Sequence, residues 1–336
     1  MSVSINGTSG LVFSDASTQA TAAKTGMVNR IINGAMMIDQ RNAGASVAAV
    51  NGSYQIDRWR TELTGGGAFT VQQSTTTPAG FTNSALITVT TADSSIAATD
   101  YYDYQQFIEG FNIADLGWGT ANAQTVTLSF WVRSSVTGTF AGSLVNSAGN
   151  RSYVFTYTIN SANTFEYKTV TIAGDTSGTW VTNNGRGIAL SFDLGNGSTY
   201  QAAAGSWVGQ YAVGTSSSVK LISTNGATFY ITGVQLEKGS TATSFDYRPY
   251  GAELALCQRY YQALGTGVTT TGNLVITVCL FAPLRVTPST ITTTLTSGSG
   301  ASFAVWSSSQ GGNTSLVQSG NNSGNSSAAV TVYSEL

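Results

Sequence analysis

The sequence contains no histidine and few charged residues. Of its 336 residues, 9% are Asp, Glu, Lys or Arg, against about 25% in an average soluble domain. Without histidine, a Ser-His-Asp triad and a His-ligated zinc site are both excluded. Lys and Arg number 14 against 16 Asp and Glu. Because no excess of positive charge is present to neutralise phosphates, we expect no nucleic acid as a partner.

Cysteine and long apolar runs are also scarce. The two cysteines, Cys257 and Cys279, cannot form a disulfide framework, and each lies in an apolar run typical of a small buried side chain. The N-terminal stretch lacks the basic and apolar segments of an export signal. No apolar run approaches the roughly 20 residues of a membrane-spanning helix. We therefore expect a chain that is made in a cytoplasm and does not insert into a membrane.

Short alternating runs typical of strands fill most of the sequence. Apolar residues occupy every second position of 126–132, which is the period of a strand with one buried face. Similar runs recur over 54–237 between turns rich in Gly and Asn, and Gly233 indicates a bulge. The pattern predicts a mainly β fold, an antiparallel jelly-roll β-sandwich over residues 27–247.

Two further predictions concern this sandwich. Trp59 and Trp131 lie within regular apolar patterns, so both are predicted to belong to the core. Ala35–Gln40 lies between the turn signals Asn33-Gly34 and Asn42-Ala43-Gly44. Since Gly and Asn interrupt any helical period there, an extended strand is expected.

Residues 248–265 form one convincing helical stretch, a connector that follows the sandwich. Its apolar residues recur every three or four positions, as in a heptad seam, between a proline at the start and a glycine at the end. Such a helix either packs on its own domain or meets two copies of itself around a common axis. In the second case the candidate trimer interface consists of Leu254, Cys257, Tyr261 and Leu264.

The two ends of the chain are predicted to be separate segments. Residues 1–26 contain an apolar run that is too short to bury its face alone. They are either a flexible tail or a module that pairs with identical chains through Leu11 and Phe13. Residues 266–336 are predicted to be a smaller C-terminal β domain, and roughly 70 residues is small for an independent core. A trimer would give both segments partners to bury against.

Residues that could support catalysis are few. A glycosidase needs two carboxylates about 5–10 Å apart, and only residues 100–109 combine acids with several tyrosines. A loop with packing tyrosines is the preferred explanation of that cluster. No Asp-rich calcium loop occurs either. We expect no enzyme activity, no metal and no cofactor.

Aromatic side chains are the residues best suited to a binding surface. The chain has 6 Trp, 15 Tyr and 14 Phe, whose flat apolar rings can stack on sugars while neutral polar groups bind the sugar hydroxyls. A hydrophobic plug beneath a loop is the alternative for each tryptophan beside a turn. The candidate glycan-binding residues are Trp118, Trp180, Trp207, Trp306, Tyr102 and Tyr104.

Two stretches resemble a module that recurs in bacteriophage and prophage tail fibre proteins. The first runs from Val28 to Arg60 and contains INGAMMIDQRNAG followed by YQIDRWR. The second, Ile231–Gln262, contains GVQLEKG, FDYRP and CQRYYQ. The N-terminal SINGTSGLVFSDASTQATAA is similar to the segment that opens many phage fibre chains. The likeness covers nearly the whole chain.

The resemblance implies a virion fibre protein with a jelly-roll module like those that bind carbohydrate. It implies a homotrimer at the virion surface, made in the host cytoplasm, that contacts other virion proteins through residues 1–26. We expect a tail fibre that attaches to a host-surface glycan without catalysis. The alternatives are a purely structural virion part, such as a head fibre, capsid decoration or tail adaptor, and, less favoured, a polysaccharide-degrading spike.

Overall fold

The alternating runs of the sequence form two antiparallel sheets that pack as a sandwich. This computed structural model describes residues 27–263 and 335 with their side chains, and the strands nearer the two ends by their backbone alone. The strands are numbered in chain order. The first three are short and pair antiparallel: β1 (Ser4–Asn6), β2 (Gly10–Val12) and β3 (Thr18–Gln19).

The sandwich consists of a six-stranded and a seven-stranded sheet. The six-stranded sheet contains β4 (Val47–Ala48), β7 (Ala68–Ser74), β8 (Ser84–Thr91), β10 (Val126–Ser134), β13 (Glu166–Ile172) and β16 (Thr228–Lys238). The seven-stranded sheet contains β5 (Tyr54–Ile56), β6 (Trp59–Leu63), β9 (Tyr102–Glu109), β11 (Gly138–Asn146), β12 (Ser152–Ile159), β14 (Arg186–Asp193) and β15 (Trp207–Val208).

The strand order explains how one chain builds both layers. The sheets run β13-β10-β16-β8-β7-β4 and β15-β12-β11-β14-β9-β6-β5. The chain crosses repeatedly from one sheet to the other, so neighbouring parts of the sequence contribute to both layers. The prediction of a mainly β protein with two antiparallel sheets is confirmed.

The hydrophobic core lies between the two sheets. Phe130 of β10 meets Phe192 of β14 with 5.2 Å between ring centroids, and Phe140 of β11 meets Phe229 of β16 at 6.0 Å. All four side chains are 0% exposed. Full burial of a phenylalanine contributes about 1.5–3 kcal/mol, so these rings hold the two layers together.

A short helix and further strands follow the sandwich. The helix is α1 (Tyr250–Gln258). The strands described after it are β17 (Tyr261–Thr269), β18 (Val275–Val278), β19 (Thr290–Ser297), β20 (Ser302–Ser307), β21 (Thr314–Ser319) and β22 (Ser326–Tyr333). They pair in the orders β17-β22-β19 and β18-β21-β20. Of the helices in the described residues, none has the length and apolarity needed to cross a bilayer.

The helix is shorter than the predicted stretch of residues 248–265. α1 ends at Gln258, and Tyr261 begins β17. The backbone of Tyr261 pairs with Tyr333 of β22 instead of continuing the helix, in keeping with the preference of aromatic residues for strands. Tyr261 and Leu264 are therefore strand residues, and the predicted helical seam is wrong beyond Cys257.

The seam residues of the described helix pack inside their own chain. Cys257 is 0% exposed in a cluster with Ile32 and Tyr260, and Leu254 packs against that cluster. Tyr261 is 6% exposed. Burial within one chain leaves Cys257 and Tyr261 no free surface, so their prediction as trimer contacts is corrected to the alternative, a helix packed on its own domain.

The strand predicted over Ala35–Gln40 is absent. Ala35 and Gln40 belong to turns, positions 36–39 have no regular secondary structure, and Met36 has a φ of 55°. Asn33 has a φ of 58°, outside the range of a strand. Its Nδ2 donates to the carbonyl oxygens of Ile38 at 2.8 Å and Asp57 at 2.9 Å, and its Oδ1 accepts from the Ile38 amide at 3.0 Å. The Trp59 indole donates to the Asn33 carbonyl oxygen at 3.0 Å. Asn33, Asp57 and Trp59 all belong to the Val28–Arg60 stretch, the first of the two tail-fibre-like motifs. Their contacts join the turn segment to the β5–β6 hairpin, and we call this the joint at Asn33.

Two buried arginines hold Glu335. Its Oε1 lies 2.6 Å from Nη2 of Arg41, and its Oε2 accepts a hydrogen bond from Nη1 of Arg58. The Arg58 guanidinium lies 3.5 Å from the ring centroid of Tyr260 and donates to the carbonyl oxygen of Phe107. Arg58 is one of the two turn residues between β5 and β6, so Glu335 is bound to a hairpin of the sandwich.

Candidate functional site

A groove of ≈ 440 Å³ opens on the outer face of the six-stranded sheet. Half of its lining residues are aromatic, and none carries a formal charge. We call it the aromatic groove. Its lining residues are Phe81, Ser129, Trp131, Tyr167, Gly233, Ala242, Thr243, Ser244, Phe245 and Tyr247.

Two aromatic rings on neighbouring strands form the floor of the groove. Trp131 of β10 lies directly opposite Tyr167 of β13 in the register. Their ring centroids are 5.3 Å apart, which is the geometry of a favourable cross-strand pair. Tyr167 is 44% exposed. Since Phe130 faces the core, alternation places Trp131 on the outer face.

A bulge beside the floor fits the backbone of β16 against the rings. The register between β10 and β16 shifts between Ser129 and Trp131, which confirms the bulge predicted at Gly233. Gly233 has a φ of +61°, and a Cβ there would lie 2.6 Å from Cζ of Phe81 and 3.1 Å from Cδ1 of Trp131. Glycine is therefore required both for the backbone conformation and for the room that the two rings occupy.

Gly233→Ala is expected to lower the free energy of unfolding by about 1–3 kcal/mol and to displace the Phe81 and Trp131 rings. Chemical denaturation and Trp fluorescence would measure the two effects. Gly226→Ala is the matched control, because Gly226 also has a positive φ, +74°, but a Cβ added there would meet no atom within 4 Å. Equal losses in the two variants would contradict a steric role for Gly233.

The far wall of the groove is a cluster of three rings. Phe81 lies 5.2 Å from Phe245 and 5.5 Å from Tyr247, and the last two are 4.8 Å apart. The Tyr247 hydroxyl donates to the carbonyl oxygen of Gly80 at 2.5 Å. Tyr247 is nevertheless 54% exposed, so one part of its ring remains accessible from the groove.

Buried polar side chains of β16 hold this wall in place. Gln235 accepts from the Asp246 amide at 2.8 Å through Oε1 and donates to the Ser244 carbonyl oxygen at 3.3 Å. Glu237 accepts from the amide and the hydroxyl of Thr243. Both Gln235 and Glu237 are 0% exposed. The Gln-Leu-Glu part of the tail-fibre-like motif therefore positions the wall of the groove.

The groove is chemically suited to a neutral, partly apolar ligand. Half-exposed rings offer flat apolar faces, and the exposed residues Thr243 and Ser244 add polar groups to the lining. Pockets that bind small molecules combine an aromatic lining with a few polar groups in this way. Among the described residues, no group of three or more Cys, Asp or Glu side chains is placed to hold a metal ion.

No protein-family model and no curated protein sequence matches this chain. Three solved structures are similar to it at low identity. The enzymatically active domain of tailspike protein 4 from Bacteriophage CBA120 is 15% identical with a TM-score of 0.33, over 63% of this chain and 22% of the tailspike chain. The match thus spans about a fifth of that protein.

The other two structures come from Clostridium thermocellum. A family 11 carbohydrate-binding module, in complex with a β-1,3-1,4-mixed-linked tetrasaccharide, is 9% identical over 60% of this chain and 98% of its own, with a TM-score of 0.29. The CBM22-1–GH10 modules of endo-1,4-β-D-xylanase 10B, complexed with xylohexaose, are 14% identical over 56% and 28%, with a TM-score of 0.30. Similarity at this level assigns neither a family nor a function to the chain.

The structure places the predicted tyrosines in the core. Tyr102 and Tyr104 are both 0% exposed. Tyr104 stacks on Trp59 at 5.2 Å, and the Tyr102 hydroxyl donates to Asp93 at 2.7 Å. The prediction of Tyr102 and Tyr104 as glycan contacts is corrected to a packing role, because a buried ring has no face for a sugar. The core position predicted for Trp59 is confirmed by its 0% exposure.

Three of the predicted tryptophans pack against one another. Trp118, Trp180 and Trp207 form an edge-to-face cluster with ring centroids 4.7 to 5.4 Å apart. Trp118 is 6% and Trp180 7% exposed, and all three indole groups donate to backbone carbonyl oxygens. The cluster corresponds to the alternative interpretation, a hydrophobic plug beneath loops. The prediction that Trp118 and Trp180 contact a glycan at the surface is therefore wrong. Trp207 is half-buried in the same cluster.

Four predicted site residues cannot be placed by their side chains. They lie outside the residues described with side chains and stay predictions: Leu11, Phe13, Leu264 and Trp306.

The aromatic groove itself was not predicted. Trp131 was predicted to belong to the core because it lies within a regular apolar pattern, yet it shares the outward positions of β10 with Ser129 and Arg133. The period-two pattern was the signal that could have found it. Phe81 and Tyr247 carry no comparable local signal, since they reach the groove from irregular segments.

Proposed function

We propose that this chain is an attachment protein of a bacteriophage virion, a tail fibre whose aromatic groove binds a host-surface glycan without catalysis. Two independent lines support the proposal. The tail-fibre-like motifs lie in Val28–Arg60 and Ile231–Gln262, and their residues hold together the joint at Asn33 and the wall at Gln235 and Glu237. The second line is the groove.

The single observation that carries the proposal is a pair of aromatic rings, Trp131 and Tyr167, that is accessible in a groove whose other lining residues carry no charge. Contiguous exposed apolar surface on a soluble protein marks a site of interaction. Tyr167 and Tyr247 remain 44% and 54% exposed although a large apolar core was available to bury rings. A neutral sugar ring, with apolar faces and polar edges, has the complementary chemistry.

Binding without turnover fits the carboxylates around the groove. None of its lining residues is acidic. Two acids belong to the wall segment. Glu237 is 0% exposed and accepts hydrogen bonds from Thr243 and Gln235, and Asp246 accepts from the Asn29 amide and pairs with Arg248. A glycosidase requires two carboxylates that flank the scissile bond, and Glu237 is instead committed to structure.

The proposal includes a homotrimer at the virion surface, with residues 1–26 toward other virion proteins. The strands β1 to β3 have three, three and two residues, too few to bury an apolar face alone. Partner chains would complete them. Three linked grooves would also raise the apparent affinity for a repetitive glycan without new contacts. Multi-angle light scattering of the full chain should give the mass of three copies, and a monomer would contradict this part of the proposal.

A purely structural virion part is the second candidate. Exposed apolar side chains outside the groove favour it, because Phe111 is 60% and Tyr250 57% exposed. Contacts between copies, or with another virion protein, would cover such residues. In that case the chain would assemble correctly but bind no glycan.

Replacing Tyr167 or Trp131 by Ala is expected to weaken binding to surface polysaccharide about tenfold, because each ring contributes roughly 1–1.5 kcal/mol of stacking. Binding would be measured on an array of bacterial surface polysaccharides and by adsorption to cells. Tyr250→Ala is the matched control, since it removes an exposed ring outside the groove.

Two results would count against the proposal. One is unchanged binding by Tyr167→Ala and Trp131→Ala, which would place the glycan elsewhere. The other is an absence of binding by the unaltered protein to any polysaccharide on the array, which would favour the structural candidate.

A further inference from the structure

Two arginines surround one phenylalanine on the outer face of the seven-stranded sheet, the side of the sandwich away from the aromatic groove. Phe107 lies on β9, between Arg60 on β6 and Arg186 on β14. The guanidinium carbons of Arg60 and Arg186 lie 4.5 and 4.7 Å from the centroid of the Phe107 ring. Both guanidinium groups therefore stack on the same phenylalanine ring, which holds two positive charges at one place on the sheet.

The carboxylates near this pair compensate only one of the two charges. Arg60 pairs with Glu62 at 2.5 Å. Arg186 forms no ion pair with any carboxylate in residues 27–263 or with Glu335, and it donates to the carbonyl oxygen of Ser147. Its register partner is Glu109, which is occupied by another arginine.

The Glu109 carboxylate binds two residues that follow the helix α1. It accepts from Arg259 at 2.7 and 3.0 Å and from the Tyr260 hydroxyl at 2.6 Å. The pair of Arg60 and Arg186 thus keeps an excess of one positive charge. In a chain with a net charge of −2, such a local excess is not a result of composition.

The surroundings make this cluster rigid and partly dry. Phe107 is 4% exposed and packs with Val145, Ala189 and Tyr211. Nε of Arg60 is buried and has no hydrogen-bond partner in the described part of the chain. Burial lowers the pKa of Arg186, and the charge of Arg60 lowers it further. An anion placed here would supply an opposite charge that offsets the cost of burying Arg186 and the repulsion from Arg60.

We propose that Arg60 and Arg186, held on Phe107, form a binding site for an oxyanion: a carboxylate, phosphate or sulfate group. Guanidinium groups bind such planar or tetrahedral anions through two parallel hydrogen bonds. If the attachment function proposed above is correct, the anion belongs to an acidic surface glycan. The site itself lies on the other sheet from the groove and does not depend on it.

The test is a titration of the full-length protein with three probes: sodium glucuronate, inorganic phosphate and sodium sulfate, each at constant ionic strength set with chloride. The NMR chemical shifts of backbone amides, or the heat measured by titration calorimetry, should saturate with at least one probe. The probe that binds most tightly identifies the kind of oxyanion. Arg186→Gln should weaken that binding about tenfold or more. Arg186→Lys keeps the positive charge but cannot donate two parallel hydrogen bonds, so it should lose less affinity than Arg186→Gln.

Arg133→Gln is the matched control. Arg133 also stacks on aromatic rings, 4.9 Å from the centroid of Tyr230, but on the six-stranded sheet and without a second guanidinium. It should leave oxyanion binding unchanged. Thermal melting would verify that each variant is folded, and Arg186→Lys provides the answer if Arg186→Gln is not.

Three outcomes would overturn the proposal: no saturable binding of any probe, equal losses in Arg133→Gln and Arg186→Gln, or full binding by both Arg186 variants. The aromatic-groove variant Tyr167→Ala should bind the oxyanion normally. The experiments therefore distinguish a wrong oxyanion site from a wrong glycan groove, because each proposal is tested by its own variants.

Discussion

Glu335→Gln is expected to lower the free energy of unfolding by about 3–5 kcal/mol, the usual cost of removing one partner from a buried ion pair. Arg58 is 1% exposed on its side chain, and Glu335 is its carboxylate partner. Arg41, 8% exposed, pairs with the same carboxylate. Glutamine keeps the size of the side chain but leaves the Arg58 charge buried without an anion.

Urea denaturation followed by circular dichroism would measure this loss. Lys238→Gln is the matched control, because Lys238 pairs with Asp115 at 3.9 Å and the two side chains are 43% and 55% exposed. A pair that is open to water contributes about 0–1 kcal/mol. If Glu335→Gln were no more destabilising than Lys238→Gln, the buried ion pairs of Glu335 with Arg41 and Arg58 would not form in solution.

Asp57→Asn is expected to remove much of the pH dependence of stability between pH 4 and 7. Burial raises the pKa of Asp57 to about 7, although Arg41 and Gln40 oppose the rise. Over this interval the folded chain keeps a proton that the unfolded chain releases. Stability therefore falls as the pH rises from about 4 to about 7 and is constant above, with a total change of about 4 kcal/mol for this one group.

The measurement is the denaturation midpoint at pH 4, 5.5, 7 and 8 for both proteins. The unaltered protein should lose more stability over this range than Asp57→Asn. Burial also raises the pKa of Asp103, so a residual slope should remain in the variant. Parallel pH profiles for the two proteins would show that Asp57 is ionised throughout and would contradict the expectation.

Local patterns in the sequence were enough to predict the sandwich. The alternation of 126–132 corresponds to β10, with Phe130 inside. Gly233 indicated the bulge that the register shows. Both predictions succeed because period and turn chemistry are properties of neighbouring residues, which a single sequence contains.

Contacts between distant residues could not be predicted in this way. Glu335 and Arg58 are 277 positions apart, and no periodic pattern links them. The same holds for the groove. Phe81 and Tyr247 contact each other there, although most strands of the sandwich lie between them in the sequence. The cluster of Trp118, Trp180 and Trp207 shows the opposite error, since a tryptophan beside a turn is buried when other rings are close enough to pack on it.

The tail-fibre-like motifs acquire a physical meaning in the structure. Asn33 joins the turn segment to the Asp57–Trp59 hairpin. Gln235 and Glu237 fasten the segment that forms the wall of the groove. These residues are therefore positioning residues that hold the framework. In the proposed function, the partly buried ring of Trp131 and the exposed ring of Tyr167 are the groups that contact the glycan.

A crystal structure of the full chain with a bound surface oligosaccharide tests the central claim most directly. The predicted result is a sugar ring in van der Waals contact with Trp131 and Tyr167, with its hydroxyls hydrogen-bonded near Thr243. A saccharide bound away from the six-stranded sheet, or a groove filled by a neighbouring copy in the native oligomer, would contradict the claim.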